Sequence, residues 1–164
     1  MSSVIQTITH LAAPWASFYD DSKAVSTAVT ILHLGGMLLA GGLAISADRS
    51  TLRARTRSDR SRHLEELTAV HKPVMIGLAI TVVSGLLMLA ADLKTFLPSV
   101  LFWLKMGAFG ALLLNGSLLA RAERQLRVGI VEPETGWRRL RITSVASATL
   151  WFLALVLGGI LPNA

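Results

Sequence analysis

The chain of 164 residues contains no cysteine and has few charged residues. Without thiols it cannot form a disulfide framework, a thiolate zinc site, an iron–sulfur cluster or a cysteine nucleophile. Charged residues make up 16% of the chain, whereas a typical soluble domain has about 25%. Hydrophobic residues make up 52%, and so apolar a chain has to bury its surface instead of remaining disordered. These features favour a chain that is surrounded largely by lipid.

Four long apolar stretches account for this composition. Each approaches the roughly 20 residues that a helix needs to cross a bilayer core. Their apolar character is continuous, whereas the strands of a membrane barrel alternate, so helices are the predicted spanning elements. The predicted spans cover about 24–46, 74–91, 100–120 and 142–161. We therefore expect an all-α membrane protein, a four-transmembrane-helix bundle formed by residues 22–164.

All twelve arginines lie in the two segments that join the first span to the second and the third span to the fourth. They are Arg49, Arg53, Arg55, Arg57, Arg60, Arg62, Arg121, Arg124, Arg127, Arg138, Arg139 and Arg141. The positive-inside rule places these segments in the cytoplasm and both termini on the periplasmic side of a bacterial inner membrane. The excess of positive charge, +6 in total, thus indicates the orientation of the chain in the membrane. We expect the Arg-rich loops to bind anionic lipids and not nucleic acid.

Residues 1–21 form a separate amphipathic segment before the first span. Apolar side chains recur in it at helical spacing, at Val4, Ile8, Leu11, Trp15 and Phe18. This pattern predicts a short helix lying in the outer membrane interface. Pro14 is expected to break or kink it, because proline lacks a backbone donor. Ser22, or one of the two aspartates before it, is the expected N-cap of the first span.

Small and polar residues mark the predicted helix contacts. In membranes such residues allow close backbone approach or hydrogen bonding between helices. The candidate packing positions are Gly36, Ala40 and Gly41 in the first span, Ser84 in the second, Asn115 in the third and Ser147 in the fourth. Packing alone is their simplest role, and Asn115 is expected to hydrogen-bond near the start of the fourth span.

Two ionisable residues within the spans, His33 and Lys105, are candidate functional residues. Charged or titratable groups are costly in lipid, and counting along the helices gives these two a similar depth toward the outer face. In the simplest alternative, the Lys105 ammonium snorkels to the interface and a neutral His33 bonds a carbonyl or hydroxyl of another helix. In the functional alternative, His33 binds copper or the iron of haem b, with the thioether of Met37 or Met106 as a partner ligand.

Three segments carry a resemblance to a known family. They are Leu32-His33-Leu34-Gly35-Gly36 continuing to Gly41-Gly42, then Val83-Ser84-Gly85, and Phe102-Trp103-Leu104-Lys105-Met106 followed by Asn115. They resemble helices of small bacterial membrane proteins related to the copper-resistance D family. The resemblance implies copper handling or a cofactor site near the outer face, carried here by His33 and Lys105. The chain is shorter than the multi-span members of that group.

No enzyme motif is present in the sequence. Walker loops, dinucleotide glycine fingerprints, HExxH and GxSxG are all absent, and the predicted spans contain no carboxylate. We therefore expect a non-catalytic membrane protein that binds copper or haem through His33. The alternative is an accessory or scaffold subunit without a cofactor, which contacts other membrane subunits or a second copy of itself. A small transporter is a weaker third hypothesis.

Overall fold

The computed structural model describes residues 3–160, with side chains from residue 6 onward. Residues 1–2 and 161–164 lie outside the described part, as do the side chain of Val4 and the last residue of the fourth predicted span. The helices are α1 (Ser3–Asp21), α2 (Lys23–Arg53), α3 (Arg57–Ala91), α4 (Leu93–Phe96), α5 (Val100–Val128) and α6 (Pro133–Ile160). Four of them, α2, α3, α5 and α6, are long and apolar enough to cross a membrane. The prediction of an all-α, four-helix membrane bundle is confirmed.

The four long helices extend beyond the predicted spans at the end of the bundle that carries the arginines, here called the Arg-rich end. The connection between α2 and α3 shrinks to three residues, because a capping box begins α3: Asp59 N–H donates to Thr56 Oγ1, and Thr56 N–H donates to the Asp59 carboxylate. The connection between α5 and α6 turns at Gly129, whose φ of 70° suits a residue without a Cβ.

The connection between α5 and α6 ends at Glu132. Pro133 begins α6, and Gly136 is already buried within its first turns. Proline is favoured at the first helical position, where its missing N–H would have no helical partner. Glu132 precedes it and accepts hydrogen bonds from the Thr135 N–H at 3.1 Å and from the Thr135 hydroxyl at 2.8 Å. These bonds lower the pKa of the Glu132 carboxyl.

The bundle consists of two antiparallel hairpins. Helix α2 packs along α3, α5 packs along α6, and α2 and α6 join the two pairs, whereas α3 and α5 are not major partners. Close approach within the first hairpin depends on two glycines. A Cβ at Gly36 would lie 2.7 Å from Thr81 Oγ1, and a Cβ at Gly77 would lie 2.8 Å from the Ala40 nitrogen. Large apolar side chains cover much of the outer surface, as expected for a surface that faces lipid.

A break or a kink is predicted at Pro14, and helix α1 continues through this residue without a break. Proline removes one helical donor without forcing the backbone out of the helix. The Trp15 indole N–H donates to the Leu87 carbonyl at 2.8 Å, which fixes α1 against the last turns of α3. Ser22 is the N-cap of α2, as one of the three candidates predicted: its hydroxyl accepts from the Val25 N–H at 3.4 Å.

Candidate functional site

The first polar site lies between α2 and α3, away from the arginines, at what is here called the Arg-poor end. His33 Nδ1 lies 3.1 Å from the Thr81 carbonyl oxygen and 3.1 Å from Ser84 Oγ. A carbonyl can only accept, so Nδ1 must carry the proton. The Ser84 hydroxyl donates to the Ile80 carbonyl at 2.6 Å, so its oxygen is also an acceptor for Nδ1–H. The His33 ring is therefore held as the Nδ1–H tautomer, with a lone pair on Nε2.

Helix packing positions this imidazole. Gly36 and Gly77 bring α2 and α3 close together one turn further into the bundle, and Gly85 leaves space for the ring itself. A Cβ at Gly85 would lie 3.1 Å from His33 Cε1. A side chain at residue 85 would thus press on the ring. His33 therefore makes the hydrogen bond to another helix that is expected if the residue has only a structural role.

Lys105 on α5 lies close to this site. Its side chain is half-buried and reaches toward α6, where a Cβ at Gly158 would lie 3.5 Å from Nζ. The ammonium lies in the neighbourhood of the His33 ring. No aspartate or glutamate among residues 6–160 lies within ion-pair distance of Lys105. The site thus combines an oriented imidazole with a cation that has no carboxylate partner there.

The two candidate methionine ligands occupy different positions. Met37 lies one turn after His33 on α2 and is half-buried, whereas Met106 on α5 is 37% exposed. An exposed side chain on a spanning helix faces lipid. Met106 is therefore less suited than Met37 to a ligand set inside the bundle. In the part of the chain that the structure describes, no three histidine, aspartate or glutamate side chains cluster as a metal site.

The candidate packing positions are all buried in the described structure. Gly36 and Ala40 face Gly77 and its neighbours on α3, and a Cβ at Gly41 would touch the Trp151 ring of α6 at 3.0 Å. Asn115 donates from Nδ2 to the Thr143 carbonyl at 2.9 Å, which links α5 to α6 in the predicted place.

A second polar region lies at the Arg-rich end, and of its members the sequence predicted only Ser147, as a packing position. Its buried members are Asp48, Thr51, His63, Glu123, Ser144 and Ser147. Thr51 donates to the Ala47 carbonyl at 3.1 Å, so His63 Nε2 must be the donor in its 2.7 Å contact with Thr51 Oγ1. The sequence did hold one indication of this buried region. Asp48 and Thr51 lie one turn apart, beyond residue 46, where the first helix was expected to end.

Several arginines predicted to bind lipid instead hold the protein together. Arg141 donates to the Ala54 carbonyl at 2.9 Å, and Arg127 bonds Glu123, the Leu64 carbonyl and Thr68. Arg60 pairs with Glu134 at 2.6 Å and lies over the Trp137 ring. The remaining arginines are mostly exposed and stay available to lipid headgroups.

Comparison with known protein families, with curated proteins and with solved structures finds no match to the chain.

Proposed function

We propose that this integral membrane protein binds haem b at the Arg-poor end of its bundle, where His33 Nε2 would hold the iron, and that it has no catalytic role of its own. The proposal depends on one observation, the hydrogen bond of His33 Nδ1 to the Thr81 carbonyl. Histidines that bind metals characteristically donate their other ring N–H to a carbonyl or carboxylate, which fixes the tautomer and orients the ring. Ser84 adds a second acceptor on the same side of the ring.

Lys105 favours haem over copper as the ligand. A copper ion brings further positive charge beside an ammonium that has no described carboxylate partner, whereas haem brings two propionates that can pair with it. In this proposal Lys105 neutralises a propionate, and His33 holds the iron. Copper, held by His33 with Met37 one turn away or with Met106, is the ligand that the resemblance to the copper-resistance D family would imply.

The test is an absorption spectrum and a metal analysis of protein purified gently from native membranes. We expect a Soret band that His33→Ala removes and that His10→Ala leaves unchanged, since His10 is exposed on α1. Lys105→Met is expected to weaken haem retention without abolishing the band. If the wild type instead contains stoichiometric copper that is lost in His33→Ala, the ligand of His33 is copper and not haem. Colourless, metal-free protein, or a band indifferent to His33→Ala, would contradict a ligand role for His33.

A scaffold role is the second candidate, and it is supported by small residues on outward faces. At Gly35, Gly42, Gly107 and Gly110 an added Cβ would meet nothing within 4 Å. Such open glycines allow a helix of another subunit or of a second copy to approach closely. Gly107→Leu should then reduce the size of the complex seen in mild detergent while leaving the unfolding temperature unchanged. An unchanged complex would count against contact through this face.

We also propose that the Arg-rich end faces the cytoplasm of a bacterium, with the exposed arginines against anionic lipid headgroups. The absence of native cysteine makes labelling specific. Ser58→Cys and Thr95→Cys place one exposed thiol at each end of the bundle. In intact cells an impermeant maleimide should label residue 95 and not residue 58. The reverse pattern would overturn the orientation.

A further inference from the structure

Asp48 is a carboxylate enclosed within the bundle, at the contact of α2 with α6. Only 3% of the residue is exposed, and its Oδ2 is buried without a hydrogen-bond partner among the described residues. Ser144, which is fully buried, and Ser147 direct their hydroxyls toward it from α6. The Ser144 hydroxyl oxygen is likewise buried and without a partner. A hydroxyl can donate to a carboxylate, so the two serines can hydrogen-bond Asp48, but neither of them offsets its negative charge.

The surrounding charges do not neutralise Asp48. On α6 the nearest arginine in sequence, Arg141, donates to the Ala54 carbonyl. On α3, His63 is bonded to Thr51, and on α5, Glu123 is paired with Arg127. No described basic side chain lies within 4.0 Å of the Asp48 carboxylate. An isolated buried carboxylate is strongly unfavourable, so this position calls for a positive charge that the side chains around it do not supply.

We propose that Asp48, Ser144 and Ser147 form a site for one small monovalent cation, either Na⁺ or a proton, at the Arg-rich end of the bundle. Carboxylate and hydroxyl oxygens are ligands for hard cations, and the single negative charge of Asp48 matches a single positive charge. Na⁺ would lie between Oδ2 and the two serine hydroxyls. A proton on Oδ2 would instead let Asp48 donate to Ser144 Oγ. Either ion links α2 to α6 and so joins the two hairpins.

The experiment measures thermal unfolding of the full-length protein in lipid nanodiscs by tryptophan fluorescence. NaCl is titrated against choline chloride at constant ionic strength, for the wild type and for Asp48→Asn, Ser144→Ala and Asp20→Asn. Asp20 is exposed on α1 and serves as the charge-matched control. Binding to the folded state raises the unfolding temperature in a saturable way. With Na⁺ as the bound ion, we expect this rise in the wild type and in Asp20→Asn, none in Asp48→Asn, and a severalfold higher half-saturating Na⁺ concentration in Ser144→Ala.

Infrared difference spectra of the same samples distinguish the proton from Na⁺. A proton on Asp48 gives a carboxylic acid band in the wild type at neutral pH that is missing in Asp48→Asn, and the unfolding temperature is then equal in sodium and choline. Asp48→Asn is expected to fold, because the amide keeps the shape of the carboxyl and removes the buried charge. An unfolding temperature indifferent to sodium together with no carboxylic acid band would overturn the site. Equal Na⁺ dependence in wild type and Asp48→Asn would do the same.

Discussion

The contact between Gly36 on α2 and Thr81 on α3 predicts a large effect of adding one methyl group. In Gly36→Ala the new Cβ would lie 2.7 Å from Thr81 Oγ1 and 2.8 Å from the Gly77 carbonyl oxygen, whereas ordinary contacts of a Cβ begin near 3.4 Å. The backbones therefore have to separate by about 0.7 Å at this point, because packed interiors leave no slack to absorb the methyl. Overpacking of this kind costs about 1–3 kcal/mol.

The same separation affects the His33 site one turn away. Its hydrogen bonds to Thr81 and Ser84 are 3.1 Å long, and a shift of about 0.7 Å takes them beyond the range of a normal hydrogen bond. Gly36→Ala should therefore lower both the free energy of unfolding and the retention of any ligand at His33. The loss in free energy of unfolding is reduced by about 0.5–1 kcal/mol, because alanine favours helix over glycine.

Gly35→Ala is the matched control, since a Cβ there would meet nothing within 4 Å. It gains the helix propensity without the clash, so it should be neutral or slightly stabilising. Both variants are compared with the wild type by thermal and denaturant unfolding in one detergent, followed by tryptophan fluorescence. Equal stability of the Gly36 and Gly35 variants would refute the argument that the glycine contact sets the distance between α2 and α3.

Three further effects are expected. Asn115→Ala removes the bond to the Thr143 carbonyl and should cost about 0.6 kcal/mol in unfolding free energy, the average for hydrogen bonds between membrane helices, and about 1.7 kcal/mol at most. No loss would mean that this bond is not stabilising. Thr51→Val leaves the buried His63 Nε2–H without its acceptor and should cost about 1–3 kcal/mol, more than a valine substitution at an exposed threonine. The lowered pKa of Glu132 means that its contribution to stability is complete above the ordinary pKa of 4.5 and is lost as the pH falls through the lower folded value. Glu132→Gln should therefore lose part of the acid dependence of unfolding, and an identical pH profile would contradict this.

Much of the fold could be predicted because lipid imposes simple rules on sequence. A continuous apolar run of sufficient length has to form a helix, and all twelve arginines fall between the predicted spans in two segments at one end. The approximate spans, the pairing of successive helices and the link from Asn115 to the fourth span follow from such local patterns. Of the break or kink predicted at Pro14, the break does not occur, because a missing donor weakens a helix without requiring it to end.

The sequence by itself determined that the chain has four spanning helices and where its charge lies. Only the tertiary structure decided which tautomer His33 adopts, because that depends on a carbonyl of α3 at 3.1 Å. It also decided that Asp48 is buried, since a residue near the end of a helix is exposed or enclosed according to how far its neighbours extend. Here α2 continues past its predicted span to Arg53 and carries Asp48 against Ser144 and Ser147 of α6. Apolar length is a local property of the chain, whereas burial and hydrogen-bond partners belong to pairs of helices that are distant in sequence.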